Sequence, residues 1–109
     1  MLISPFTASA AEIFALGTLQ YSNFERIGSR SAGIFSEILW KKLPNGWEYS
    51  LSNEVYRDPD GQSYEGKGIP IDRDLNYPEE RSAFFRGFYE EERFTDQALE
   101  IIITRHSRH

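Results

Sequence analysis

The 109-residue sequence contains no cysteine, one methionine and two histidines. Without cysteine, disulfide scaffolds, thiolate zinc sites and cysteine nucleophiles are excluded. Apolar runs are too short to span a bilayer. The opening Met1-Leu2-Ile3-Ser4-Pro5 lacks the basic segment and long apolar stretch of a signal peptide, so the chain is expected to stay in the cytoplasm. Positive charge is also scarce: twelve Lys and Arg against seventeen Asp and Glu give a net charge of −5. That balance argues against a nucleic-acid binder, which gathers cations on one face, and against an anionic membrane surface as partner. The length suits one domain or part of a larger one. Aromatic residues, by contrast, are plentiful at 15%. Large rings bury much area each and make a core feasible at this size, or they furnish a docking surface.

Met1 to Ile3 reads as the end of a strand stopped by Pro5. Ser9 to Tyr21 reads as a helix, with Ala10, Ile13, Phe14, Leu16 and Tyr21 on its apolar face and Ser9–Glu12 at capping-box spacing. Phe24 to Ile27 suits a short strand, and Gly28 to Gly33 a loop. Strand, helix and strand in that order imply a parallel crossover and an α/β fold. Ile34–Leu43 and Trp47–Tyr56 flank Pro44-Asn45-Gly46 as a long antiparallel hairpin, because Asn-Gly supplies the positive φ angles of a tight turn. Asp58-Pro59-Asp60-Gly61 is a second turn signal, after which Ser63–Glu65 would pair back. Gly66 to Asn76 reads as irregular. Pro78 suits the first turn of a helix carrying Phe84, Phe85, Phe88 and Tyr89 as a packing face, beside a solvated Glu90-Glu91-Glu92 patch. A last helix runs from Thr95 or Asp96 to Ile103, and Arg105 to His109 is expected to fray.

Ser9 has two readings. It is a helix N-cap, or it is a hydroxyl on a sharp strand-to-helix turn where first-turn N–H groups can stabilise an oxyanion. Composition does not choose between them. His106 and His109, three apart, could share a helical face as a weak metal pair, but they read first as part of a frayed polar tail; neither is placed to serve as a catalytic base. Gly28–Gly33 lacks the third glycine of a dinucleotide loop. Asp58–Gly61 has too few ligands for a calcium loop. No cofactor and no metal is expected.

The segment Thr7-Ala8-Ser9-Ala10-Ala11-Glu12-Ile13-Phe14-Ala15 closely resembles the nucleophile segment of the C-terminal processing, or tail-specific, serine peptidases. Ile27-Gly28, Ser31-Ala32-Gly33, Leu43-Pro44-Asn45-Gly46, Leu51-Ser52, Tyr64-Glu65-Gly66-Lys67-Gly68-Ile69-Pro70 and Asp96–Glu100 continue the resemblance in family order. The resemblance implies a Clp-protease/crotonase-like α/β domain, with Ser9 as acyl-forming nucleophile and the Ala10 N–H as one oxyanion donor. One branch of the family uses a lysine base directly after the glycine matched by Gly33. Here Ile34 stands there and cannot take a proton. A second branch, with tricorn and interphotoreceptor-retinoid-binding-type members, uses an upstream histidine assisted by a glutamate that matches Glu65. This sequence is more similar to that branch. The family's PDZ module and the first half of its catalytic domain would precede Met1. The expected function is thus serine-type hydrolysis of a peptide or protein substrate by the C-terminal part of such a domain, residues 1–109, with little activity alone. The alternative is a non-catalytic fragment or interaction module on the same fold. Self-association through an exposed sheet edge or aromatic face is also expected.

Overall fold

A computed structural model describes residues 1–78, 80–90 and 93–107. The elements in chain order are β1 (Leu2–Ile3), α1 (Ala10–Gly17), β2 (Ile27–Gly28), β3 (Ile38–Lys42), β4 (Glu48–Ser52), β5 (Arg73–Asp74), α2 (Arg81–Tyr89) and α3 (Arg93–His106). Strands β1, β2 and β5 form a parallel sheet in that order, and β3 pairs with β4 in a separate antiparallel ribbon. The fold is therefore the expected α/β architecture, a parallel crossover unit plus a hairpin followed by helices.

In the parallel sheet Leu2 faces Ile27 and Ile3 faces Gly28. Neighbouring strand residues point to opposite faces, so Ile3 and Ile27 serve different cores. Ile3 packs with Ala15 and Leu16 of α1 and with Phe35 and Ile69. Ile27 packs with Leu75, Tyr77 and Phe84, with Phe6, Ala98 and Ile101 against them. Arg26 joins the layers: its backbone N–H and guanidinium both donate to Asp72, at 2.7 and 2.8 Å, and the guanidinium also reaches the Thr18 carbonyl at 3.0 Å.

Several elements differ from expectation. Helix α1 ends at Gly17 rather than Tyr21, and its inward residues are Glu12, Ala15 and Leu16, while Phe14 and Tyr21 are exposed. A buried carboxylate, not an apolar stripe, sets the rotation of this helix. The short strand lies at Ile27–Gly28, with Phe24 left in a turn. The hairpin is shorter than expected because the Ser36 hydroxyl accepts the N–H groups of Asn53 and Glu54, at 2.9 and 3.0 Å, ending the ladder there. At its tip Pro44-Asn45-Gly46 is the expected three-residue connection, with Gly46 N–H donating to the Leu43 carbonyl, but Gly46 alone, not Asn45 with it, has positive φ, +89°. Ser63–Glu65 forms no strand. The third parallel strand, β5, lies instead in the segment expected to be irregular. Pro78 precedes α2, whose N-cap is Glu80. Arg105 is helical and pairs with Glu25, so the tail is ordered through His106. Glu91, Glu92 and His109 lie outside the described residues, as do the side chains of Phe88 and His106. Of the expected packing face, Phe84 is buried, with Phe6 against it at 5.2 Å between centroids, whereas Phe85 and Tyr89 are exposed and stack on each other. Among the described residues no helix is long and apolar enough to cross a membrane.

Candidate active site

Chain leaving β1 turns at Pro5 and enters α1 at Ser9, its N-cap. Ser9 is exposed and holds φ +54° and ψ −127°, a conformation that a side-chain-bearing residue adopts only under strain. The turn is held from both sides. Ser9 N–H is shared between the Ile34 carbonyl at 2.8 Å and Glu12 Oε2 at 3.2 Å, and Ala32 N–H donates to the Thr7 carbonyl at 2.9 Å. Glu12 thus supplies the return half of the expected capping box. In the first turn of α1, the N–H groups of Ala11, Glu12 and Ile13 close on the Ala8 and Ser9 carbonyls. Ala10 N–H has no acceptor among the described residues, which leaves it available beside the Ser9 hydroxyl.

The loop facing this turn is clamped by two carboxylates. Glu12, fully buried, accepts from Ser31 Oγ (2.5 Å), Gly33 N–H (2.7 Å) and Ile34 N–H (2.8 Å) as well as from Ser9. Glu65 takes the next two N–H groups, Phe35 at 3.2 Å and Ser36 at 3.1 Å. The glycine-rich segment that carries Glu65 lies directly on this loop. Gly66 N–H donates to the Gly33 carbonyl at 2.8 Å, and Ile69 N–H donates to Ser31 Oγ at 2.6 Å. Approach this close explains the glycine at 68. A Cβ there would sit 2.2 Å from the Ser31 carbonyl oxygen.

Ser9 and Glu65 therefore line one open cleft of about 590 Å³, with Ile34, Ser36, Glu37, Ile38 and Ser50–Ser52. The two residues singled out in the sequence share this cleft, although the Glu65 carboxylate is turned to main-chain N–H groups. Ile34, half exposed, lines the cleft beside Ser9. No lysine, arginine or histidine lines it among the described residues. Nor does any group of three or more His, Cys, Asp or Glu there suit a metal ion. Sequence periodicity missed Glu12 as more than a cap, because an acid in a helical pattern is assigned to the solvent side; its capping-box spacing was the available signal.

Comparison with known proteins adds a family and a fold. Peptidase family S41 matches residues 1–75. A solved structure of mature CPAF complexed with lactacystin superposes with a TM-score of 0.67 at 19% identity, over 94% of this chain and 19% of that one. This chain thus spans about a fifth of that relative's length. No curated protein matches the sequence.

Proposed function

This chain belongs to peptidase family S41, and on that premise we propose that its Ser9 cleft is the nucleophile-bearing part of a serine peptidase acting on peptide or protein substrates. The observation that carries this reading is the strained, exposed Ser9 at the head of α1 with the Ala10 N–H open beside it. In the proposed reaction Ser9 Oγ attacks the scissile carbonyl carbon, its proton passes to a base, and the developing oxyanion accepts a hydrogen bond from Ala10 N–H. Glu65 assists that base from across the cleft. The base itself is a histidine contributed from outside the cleft described above, as in the tricorn and interphotoreceptor-retinoid-binding-type branch, because Ile34 rules out a lysine at the alternative position. C-terminal processing, self-association at the outer edge of β1 or over the exposed α2 rings, and a cytoplasmic setting belong to the same proposal.

A hydroxyl without a base is a weak nucleophile, and loss of a triad base costs orders of magnitude in rate. The chain alone is expected to turn over peptides negligibly while a fluorophosphonate probe labels Ser9 slowly, with no labelling of Ser9→Ala. Absence of any Ser9 labelling would remove the nucleophile. Substantial turnover that vanishes in Ser9→Ala would reveal a base within the chain. A second reading, a non-catalytic interaction module, is favoured by one observation: the Glu65 carboxylate already serves Phe35 and Ser36. An unlabelled Ser9 in a folded chain would select it.

A further inference from the structure

Glu12 is a buried carboxylate whose known partners are three N–H groups and one hydroxyl, with no cation among them. Burying a charge is costly unless donors surround it, and an apolar side chain in the same space would leave those donors unpaired. Packing alone therefore does not account for an acid here. What the acid does is geometric. One oxygen, Oε1, holds Ser31 and Gly33; the other, Oε2, holds Ile34 and Ser9. The Ser9 peptide N–H is thus oriented between Glu12 and the Ile34 carbonyl, and Ile34 is itself held by Glu12. Through Ser31 Oγ, which accepts from Ile69 N–H, the same carboxylate reaches the glycine-rich segment.

We propose that Glu12 is a positioning residue: it holds Ser9 in its strained turn and locks that turn to the 31–34 loop and the glycine-rich segment as one rigid unit. This deepens the reading of Ser9 as nucleophile and rests on it. A carboxylate suits the task because it only accepts, and all four groups around it donate. Glutamine in its place turns an –NH₂ towards one pair of donors, leaving the Gly33 N–H or the Ile34 N–H without its acceptor and loosening the unit that holds the Ser9 turn.

The test uses the full isotope-labelled chain with Glu12→Gln and Ser31→Ala. In folded variants, amide resonances of the β3–β4 hairpin are expected to stay in place, while those of Ser9, Ala10 and Ile34 move. The three-bond coupling that reports Ser9 φ is expected to leave its positive-φ value. At equal folded fraction, fluorophosphonate labelling of Ser9 is expected to fall roughly 100-fold in Glu12→Gln, the loss typical of ångström-scale misplacement. Ser31→Ala, which removes one of the four donors, should fall less. A folded variant that keeps both the Ser9 coupling and the wild-type labelling rate overturns the proposal. If Glu12→Gln does not fold, Ser31→Ala decides. If wild-type Ser9 is never labelled, the nucleophile reading fails separately, and the Ser9 coupling still decides what Glu12 does.

Discussion

Around Ser9, the four successive N–H groups from Gly33 to Ser36 are all taken by two carboxylates that come from different elements, whereas the ten residues of β3 and β4 are all exposed and pair across their own ladder. The molecule measures 62 Å along its longest axis, and its radius of gyration, 17.0 Å, exceeds the roughly 13 Å of a compact chain of this length. Trp40 and Trp47 sit on the hairpin at 67% and 74% exposure. The difference concerns where a disturbance stops. In the site region one buried carboxylate, Glu12, serves several donors at once, so its removal leaves several groups unpaired. In the hairpin, lost contacts return to water.

Glu12→Ala is the sharpest way to break that contrast. It strips the acceptor from Ser31, Gly33 and Ile34 and leaves Ser9 N–H with the Ile34 carbonyl alone, and unpaired buried polar groups cost about 1–3 kcal/mol each. Part of that cost is recovered by entering water, so a loss on the order of 4 kcal/mol in urea unfolding is expected. Trp40→Ser should stay within about 0.5 kcal/mol, as surface substitutions do. Comparable losses for the two would show that the site network contributes no more than the hairpin surface.

A pair of glycines gives a smaller and more local comparison. A Cβ at Gly68 meets the Ser31 carbonyl, and the φ of +76° disfavours any side chain, so Gly68→Ala is expected to cost about 2–3 kcal/mol and to shift Ser31 and Glu12 resonances. A Cβ at Gly46 would meet open space, although φ is +89°. Gly46→Ala should cost about 1 kcal/mol and move only resonances of the hairpin. Equal spread of the shifts in both variants would dissolve the distinction between the two regions.

The smallest effect is one of pH. Asp72 accepts the Arg26 backbone N–H and its guanidinium, which hold its carboxyl below the ordinary carboxylate range. A carboxyl lowered in the folded state contributes stability that is complete above its unfolded value and is lost as pH falls through the folded one. Asp72 is substantially exposed, so solvent screening keeps the contribution under about 1 kcal/mol. Urea midpoints measured between neutral pH and pH 3 should fall less steeply in Asp72→Asn than in the parent chain. Identical slopes would show that the pairing adds nothing.

What could be read in advance follows the same division. The start of α1 at Ser9, the parallel crossover and the hairpin centred on Asn45-Gly46 rest on local signals: a capping pattern, element order and turn chemistry. Strand β5 was hidden because Arg73 and Asp74 are exposed and charged and join the sheet through backbone bonds alone. The end of the hairpin was hidden because one hydroxyl, that of Ser36, intercepts two N–H groups from seventeen and eighteen residues away. The inward turn of Glu12 depends on donors that come from residues 19 to 22 positions later, and no period within the helix records them. The shared cleft of Ser9 and Glu65 was foreseeable only through family likeness; the engagement of Glu65 with the loop backbone was not.

The backbone at Ser9 has a consequence for how this sequence can drift. At φ +54° and ψ −127° a glycine would sit without strain, and the residue there contributes nothing to either core. Random substitution under selection for folding alone would therefore favour glycine, through a single gain in backbone ease. A serine at that point is the less stable choice, maintained against that pressure for as long as its hydroxyl has work to do.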